Sequence, residues 1–245
     1  MRKTKINNGI ILNEYTDGLL FGTDALLLSA FSWGSSRRVG CDLGGGSGVM
    51  SLLTLSSGYT KMMYSVEVQK KFSELAELNF IENNFNNKAF SINSDVRDIA
   101  SHISSASCDF VLSNPPFMPP ESGKKNESEE KRIARHEILG GISDFCKAAY
   151  WCLRSGGKFY TVYRPERLPE LFFALQNERL APKRLKTVHP SAGEPPSLIL
   201  CEAKKDASNG LIFESPLYIY KDKSHISYTD EMDSIIENLK IIRQR

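Results

Sequence analysis

The sequence predicts a doubly wound α/β fold: a mostly parallel sheet of about seven strands, helices on both faces and an antiparallel last strand pair. Three observations predict it. Between residues 38 and 163, short apolar runs alternate with amphipathic stretches, the pattern of repeated strand–helix units. The first run, Val39 to Leu43, passes into a helix through Gly44-Gly45-Gly46-Ser47-Gly48. Two later strand-like runs, Lys183 to His189 and Leu198 to Ala203, lie close together in sequence and read as antiparallel neighbours.

In chain order, Gly9 to Leu12 and Gly18 to Phe21 read as two short strands around a polar turn from Asn13 to Asp17. Thr23-Asp24 is placed to cap a helix over Ala25 to Phe31. Residues 1–35 are thus expected to form an amino-terminal extension, a hairpin plus helix packed on the main domain of residues 36–245. Within that domain, Val49 to Ser56 is an apolar helix and Met62 to Val66 a strand ending at Glu67. Gln69 to Asn83 is a helix with Phe72, Leu75, Ala76, Leu78, Phe80 and Ile81 as its apolar positions. Ala89 to Ile92 is a strand ending near Asp95, Val96 to Ile103 a short helix, and Cys108 to Ser113 a buried strand. Residues 118–136 are polar and charged and predict a long loop. Ile138 to Leu153 is helical, Gly156-Gly157 is expected to end it, and Lys158 to Tyr163 is a strand. Pro165 opens a helix that runs to Arg179. Leu211 to Tyr220 adds an edge segment and Asp230 to Ile242 a terminal helix.

Composition bounds the function. A hydrophobic fraction of 41% with 24% charged residues describes a globular chain rather than a disordered one. Lys+Arg of 31 against Asp+Glu of 29 excludes a strong polyelectrolyte, so any nucleic-acid contact must come from a local patch. The five cysteines are scattered, odd in number and without zinc spacing, which predicts buried free thiols in a reducing compartment and no metal site. Residues 1–9 carry no signal-like apolar core, and no apolar run reaches membrane length. A soluble cytoplasmic protein without membrane partners is expected; nothing in the sequence demands more than a monomer.

The chemistry-bearing residues fall at strand carboxyl ends, where such sheets bind ligands. The glycine loop lets backbone approach a ligand closely. It does not complete the dinucleotide pattern G-x-G-x-x-G, because Val49 takes the last glycine's place. Glu67 is placed to accept from ribose hydroxyls and Asp95 from an adenine amine. A tight packing turn and solvated strand-end acids are the plainer alternatives. Asn114-Pro115-Pro116-Phe117 follows the fourth strand. Proline pushes its predecessor out of the helical region and lacks an N–H, so the strand ends in a stiff extended corner. There the Asn114 side chain and the Pro115 carbonyl can face one flat, amine-bearing base, with Phe117 beside it. Arg135, His136, Arg164, Arg167, Lys183, Arg184 and Lys186 offer a basic rim for RNA phosphates. Each taken singly also reads as solvated surface.

The glycine loop, two strand-end acids and Asn-Pro-Pro-Phe occur in the order of the S-adenosylmethionine-dependent amino-methyltransferases. Adding Phe21-Gly22-Thr23-Asp24, Ala134-Arg135-His136-Glu137, Arg164-Pro165-Glu166-Arg167-Leu168-Pro169-Glu170, and Pro182-Lys183-Arg184 with Val188-His189-Pro190, the chain resembles the bacterial tRNA adenine-N6-methyltransferases over about residues 8–220. That resemblance implies a Rossmann-like class I methyltransferase fold and S-adenosylmethionine as cofactor. It implies the adenine at position 37 of a valine tRNA as substrate. It also implies a cofactor site at Thr23, Asp24, Asp42, Gly44, Gly46, Gly48, Glu67, Asp95, Val96 and Asn114. One departure stands out: Gly45 occupies the place of the family's threonine, which is expected to loosen the loop without abolishing binding.

The implied chemistry is economical. An adenine amine is a poor nucleophile because its lone pair is delocalised into the ring. Acceptors at Asn114 and Pro115 would localise that pair, and Phe117 would stack on the base for about 1–3 kcal/mol. Methyl transfer then needs in-line alignment within roughly 3–3.5 Å. Guanine-N2 methylation of ribosomal RNA and glutamine-amide methylation of protein also fit Asn-Pro-Pro-aromatic. A nicotinamide oxidoreductase fits Glu67 alone. An RNA-binding module with a degenerate methyltransferase fold is disfavoured by the intact Asp42, Glu67, Asp95 and Asn114.

Overall fold

The structure, a computed structural model of the chain, describes residues 1–6, 9–15, 22–34, 38–116 and 140–239. Strands β1 (Arg2–Ile6) and β2 (Ile10–Glu14) pair antiparallel, Ile6 opposite Ile10. The hairpin therefore turns one strand earlier than the sequence predicts. Arg2-Lys3-Thr4-Lys5-Ile6 reads as a polar terminus, yet the ladder and ion pairs from Arg2 to Glu14 (3.3 Å) and Lys3 to Glu82 (2.7 Å) hold it as a strand. Gly18 to Phe21 lie outside the described residues. Helix α1 (Thr23–Phe31) begins at Thr23 with Gly22 as its N-cap and no side-chain cap, so Thr23 and Asp24 sit inside the first turn rather than before it. There Asp24 still meets the positive end of the helix dipole.

The alternation that follows is as the sequence predicts. It runs β3 (Arg38–Leu43), α2 (Val49–Ser56), β4 (Thr60–Glu67), α3 (Lys70–Glu82), β5 (Ala89–Asn93), a 3-10 turn over Val96–Ser101, and β6 (Cys108–Ser113). Beyond residue 139 come α4 (Ile142–Cys152) and β7 (Leu153–Tyr163), a 3-10 turn at Pro165–Arg167, α5 (Leu168–Asn177), β8 (Leu180–His189) and β9 (Leu198–Lys205). Short strands β10 (Ile212–Phe213) and β11 (Leu217–Tyr218) and helix α6 (Asp230–Asn238) close the described chain. Gly156-Gly157 does not end α4. The helix stops at Cys152 and both glycines lie within β7, where the β6–β7 register slips between Cys108↔Leu153 and Phe110↔Lys158. A Cβ on Gly157 would stand 2.8 Å from the Arg154 carbonyl and 3.2 Å from the Asp109 carbonyl, so the pair serves a bulge.

The main sheet runs β10-β8-β9-β7-β6-β3-β4-β5, with β11 also on β8. Strand β9 is antiparallel to both β7 and β8, and the other pairings are parallel. The two extra short strands bring the sheet to nine. Side chains alternate between its faces. Phe110, Leu112, Tyr160, Val162 and Leu200 join Ile10, Leu12 and helices α1, α2 and α6 in one core. Cys41, Leu43, Val111, Phe159 and Tyr163 join α4 and α5 in the other. All five cysteines are buried and free.

Candidate active site

Strands β3 and β6 lie side by side, Leu43 opposite Ser113, and the Ser113 hydroxyl donates to the Leu43 carbonyl at 2.9 Å. Their next residues, Gly44 and Asn114, leave the sheet at the same height. Helix α2 covers one face after β3, and α4 covers the other face after β6. This is the topological switch point, where the chain opens a crevice at the strand ends.

The glycine loop is fixed from behind. Gly44 and Gly45 N–H groups both donate to the Val66 carbonyl, at 2.9 and 3.0 Å. Gly46 N–H donates to Glu67 Oε2 at 3.0 Å, while Glu67 Oε1 accepts from Gln69 N–H at 2.9 Å. Gly48 has φ +79°, and a Cβ there would meet the Phe80 ring at 2.7 Å. Only glycine meets both demands. At Gly46 a Cβ would enter open space. Gly45 has no unusual φ, yet a Cβ on it would stand 2.1 Å from the Ser65 hydroxyl. The volume left by the missing loop side chain is therefore filled from β4, and the loop is not simply looser.

Around this loop, buried polar atoms lack partners. Asp42 is wholly buried. Its Oδ2 accepts from the Ser51 hydroxyl at 3.3 Å, and its Oδ1 has no partner among the described residues. Burial pushes the Asp42 carboxyl up to about 7, offset in part by the Ser51 hydrogen bond. Ser65, its register neighbour on β4, is equally buried with an orphaned hydroxyl. Asn114 Oδ1, just past β6, is a third such atom among the described residues. Orphaned buried polar atoms are rare and mark a missing partner. Burial also raises the Glu67 carboxyl, with the N–H groups of Gln69, Gly46 and Val68 opposing it. A glycine cradle, a strand-end carboxylate and the orphaned Asp42 oxygen fit an adenosine-bearing, positively charged cofactor.

Asp95 shares this end of the sheet but is engaged. It caps the 3-10 turn by accepting from Arg97 N–H at 2.9 Å and pairs with the Arg97 guanidinium at 2.6 Å. The Arg97 hydrogen bonds hold its carboxyl below the usual range. Val96, next in the chain, is buried. Burial raises the Asp24 carboxyl, and the charge of Arg164 opposes it, which couples α1 to the end of β7. Pro115 is buried. Phe117, Arg135, His136 and the loop 118–136 lie outside the described residues.

The predicted basic rim divides. Arg164 sits just past β7 and donates to the Ser197 carbonyl at 3.1 Å. Arg167 follows, paired with Glu170 at 2.7 Å. Lys183 and Arg184 are not brought to that rim, because they lie in the first half of β8, away from its carboxyl end. Lys183 donates to the Ser208 carbonyl. Arg184 is held by Glu202 (2.6 Å) and Glu214 (2.5 Å) with its guanidinium 4.4 Å over Phe31, as a half-buried cation must be paired. Lys186 is 5% exposed and donates to the Ser215 carbonyl.

Two supporting residues escape sequence reasoning. Ser65 is one. The other is Asn79 on α3, fully buried, whose Nδ2 donates to the Ser47 carbonyl of the glycine loop (2.9 Å) and to the Asn13 carbonyl of β2 (3.1 Å). Its Oδ1 accepts from Asn13 N–H at 2.8 Å. A polar residue on the apolar face of α3, between Ala76 and Phe80, was the available signal. Among the described residues no cluster of His, Cys, Asp and Glu could hold a metal ion, and no helix is long and apolar enough to cross a membrane.

Comparison with known proteins agrees with this fold. Residues 16–173 match the family model of the methyltransferase small domain. A tRNA1(Val) (adenine(37)-N6)-methyltransferase from Shewanella baltica (strain OS185) is 24% identical over 196 residues, 78% of this chain and 79% of that protein. A predicted O-methyltransferase from Agrobacterium tumefaciens superposes with a TM-score of 0.74 at 19% identity, covering 91% of this chain and all of that one. A geranyl diphosphate C-methyltransferase from Streptomyces coelicolor A3(2), solved with S-adenosyl-L-homocysteine, has a TM-score of 0.55 at 12% identity over 73% of this chain and 78% of that one.

Proposed function

This chain belongs to the methyltransferase small domain family, and from that premise we propose that it methylates the exocyclic N6 amine of adenine 37 in the anticodon loop of a valine tRNA. It is an S-adenosylmethionine-dependent methyltransferase; that cofactor supplies an electrophilic methyl group on a sulfonium. The remaining steps belong to the chain's own residues. Glu67 would accept from the ribose hydroxyls, Asp95 and Val96 would receive the adenine, and Gly44, Gly46 and Gly48 would let backbone approach the methionine portion. Thr23 and Asp24, in the first turn of α1, would cover that portion, and Asp42 would support the loop.

Asn114 Oδ1 and the Pro115 carbonyl accept the two hydrogens of the target amine, localise its lone pair and oppose the positive charge that develops on it. Acceptors fixed before reaction need no reorganisation during it. A strong base is unnecessary, because the proton leaves after transfer. Phe117 stacks on the base, which an anticodon loop already presents outside a duplex. Arg164 and Arg167, with Arg135 and His136, receive phosphates.

The observation that carries the reading is the orphaned Asn114 oxygen at the switch point, one strand from the glycine loop. The test is incubation of the protein with unmodified total tRNA and labelled S-adenosylmethionine, followed by mass spectrometry of the nucleosides. N6-methyladenosine at one site in valine tRNA is expected. Label in N2-methylguanosine, in protein glutamine or in no product rejects the assignment.

A further inference from the structure

Beyond the carboxyl end of β8 the chain builds a small aromatic hairpin. Tyr220 and Tyr228 face each other across an isolated antiparallel bridge, and Lys221 N–H donates to the Ser227 carbonyl at 2.9 Å. Their rings stack at 5.2 Å with an 18° interplanar angle, and His225 stacks on Tyr220 at 4.9 Å and 27°. His225 Nε2 lies 2.8 Å from Glu194 Oε2, which fixes the ring from the neighbouring loop. His225, Ile226 and Tyr228 are nonetheless exposed, Ile226 at 82%, with Lys221 and Lys223 beside them.

The hairpin is continuous with the active-site end of the sheet. Ile219 and Tyr220 N–H groups donate to the His189 and Pro190 carbonyls just past β8. The loop that follows Pro190 reaches Arg164 through the Ser197 carbonyl. Strand β8 stands three positions from β6 in the sheet. At the usual strand spacing that is roughly 14 Å from the strand carrying Asn114. Three carboxylates nearby are engaged: Glu194 with His225, Asp230 with Lys221, and Asp222 with the Ser224 N–H.

We infer that this hairpin is a stacking platform for unpaired nucleotides flanking the methylated base, an inference that rests on the RNA reading above. The exposed rings of His225 and Tyr228, both stacked on Tyr220, offer π faces to bases, and the exposed Lys223 beside them offers a charge to a phosphate backbone. Stacking of this kind tolerates any base. It therefore holds the loop without choosing the target, a choice left to the pocket at Asn114.

The experiment is fluorescence anisotropy of a labelled, unmodified anticodon stem-loop RNA titrated with the full chain and with Tyr228→Phe, Tyr228→Leu and His225→Leu. S-adenosylmethionine affinity and thermal melting are measured alongside. Tyr228→Phe should match the parent, whereas each leucine variant should bind RNA about tenfold more weakly with unchanged cofactor affinity and melting. Leucine variants that bind RNA like the parent overturn the platform while the methylation reading stands. Equal losses in Tyr228→Phe and Tyr228→Leu also overturn it, since the ring face would then not be what matters. A parent chain that neither binds nor methylates the RNA removes the reading beneath the platform, and the platform with it.

Discussion

At Asn114 a buried oxygen has no partner among the described residues, and an atom left so costs about 1–3 kcal/mol. In the proposed reaction the target amine would relieve that cost only once substrate arrives. Asn114→Ala should therefore lower kcat by about 10²–10³-fold, by analogy with the loss of one oxyanion-hole donor. Calorimetric affinity for S-adenosylmethionine should hardly change; equal losses in both would sink the assigned role. Asp42 carries its cost differently. Its folded carboxyl titrates near 7 against an ordinary 3.8, so the folded state keeps a proton that the unfolded chain loses. This contribution to stability is complete below about pH 4 and is lost as pH rises to about 7, at most about 4 kcal/mol. Asp42→Asn should accordingly melt higher than the parent at pH 8, with the difference vanishing towards pH 4. A melting difference independent of pH would contradict this. The positions of Asp42, Glu67 and Asn114 at strand ends were legible because the apolar runs before them are continuous and local. Arg184 was misread because sequence shows a charge and not the two carboxylates, from β9 and the β10–β11 connection, that enclose it.

Elements were legible where periodicity was strong and local, as from Val39 to Ser113. The first strand was missed because its charges mask a ladder that only tertiary pairing rewards. The Gly156-Gly157 pair was misassigned because a helix stop and a strand bulge require the same residue type. The glycine loop poses the same difficulty. Gly45 looks like a weakening departure until β4 is laid beside it and the Ser65 hydroxyl fills the gap. The two positions should behave as one unit. Gly45→Ala should weaken S-adenosylmethionine binding about tenfold or more, since a contact of 2.1 Å forces loop or strand to move. Ser65→Gly in the same chain should recover most of that loss. A double-mutant cycle with no coupling would show that the loop adapts without help from β4.

Across the whole molecule, two cores flank one sheet, and α6 belongs to the first of them through Met232 and Ile235. Truncating a fully buried side chain of this kind costs about 2–5 kcal/mol against a typical total of 5–15 kcal/mol. Ile235→Ala should lose that much in urea denaturation with an unchanged slope. A loss below about 1 kcal/mol would place α6 outside the cooperative unit. The same long-range wiring runs through Asn79, whose single amide holds both the β2 backbone and the Ser47 carbonyl. Residues near the amino terminus are thereby tied to the glycine loop, so displacing them is expected to weaken donor binding. An affinity tag that pulls the first fourteen residues out of place would surface in kinetic assays as a raised KM for the methyl donor. An untagged preparation would be needed to read the enzyme's own constant.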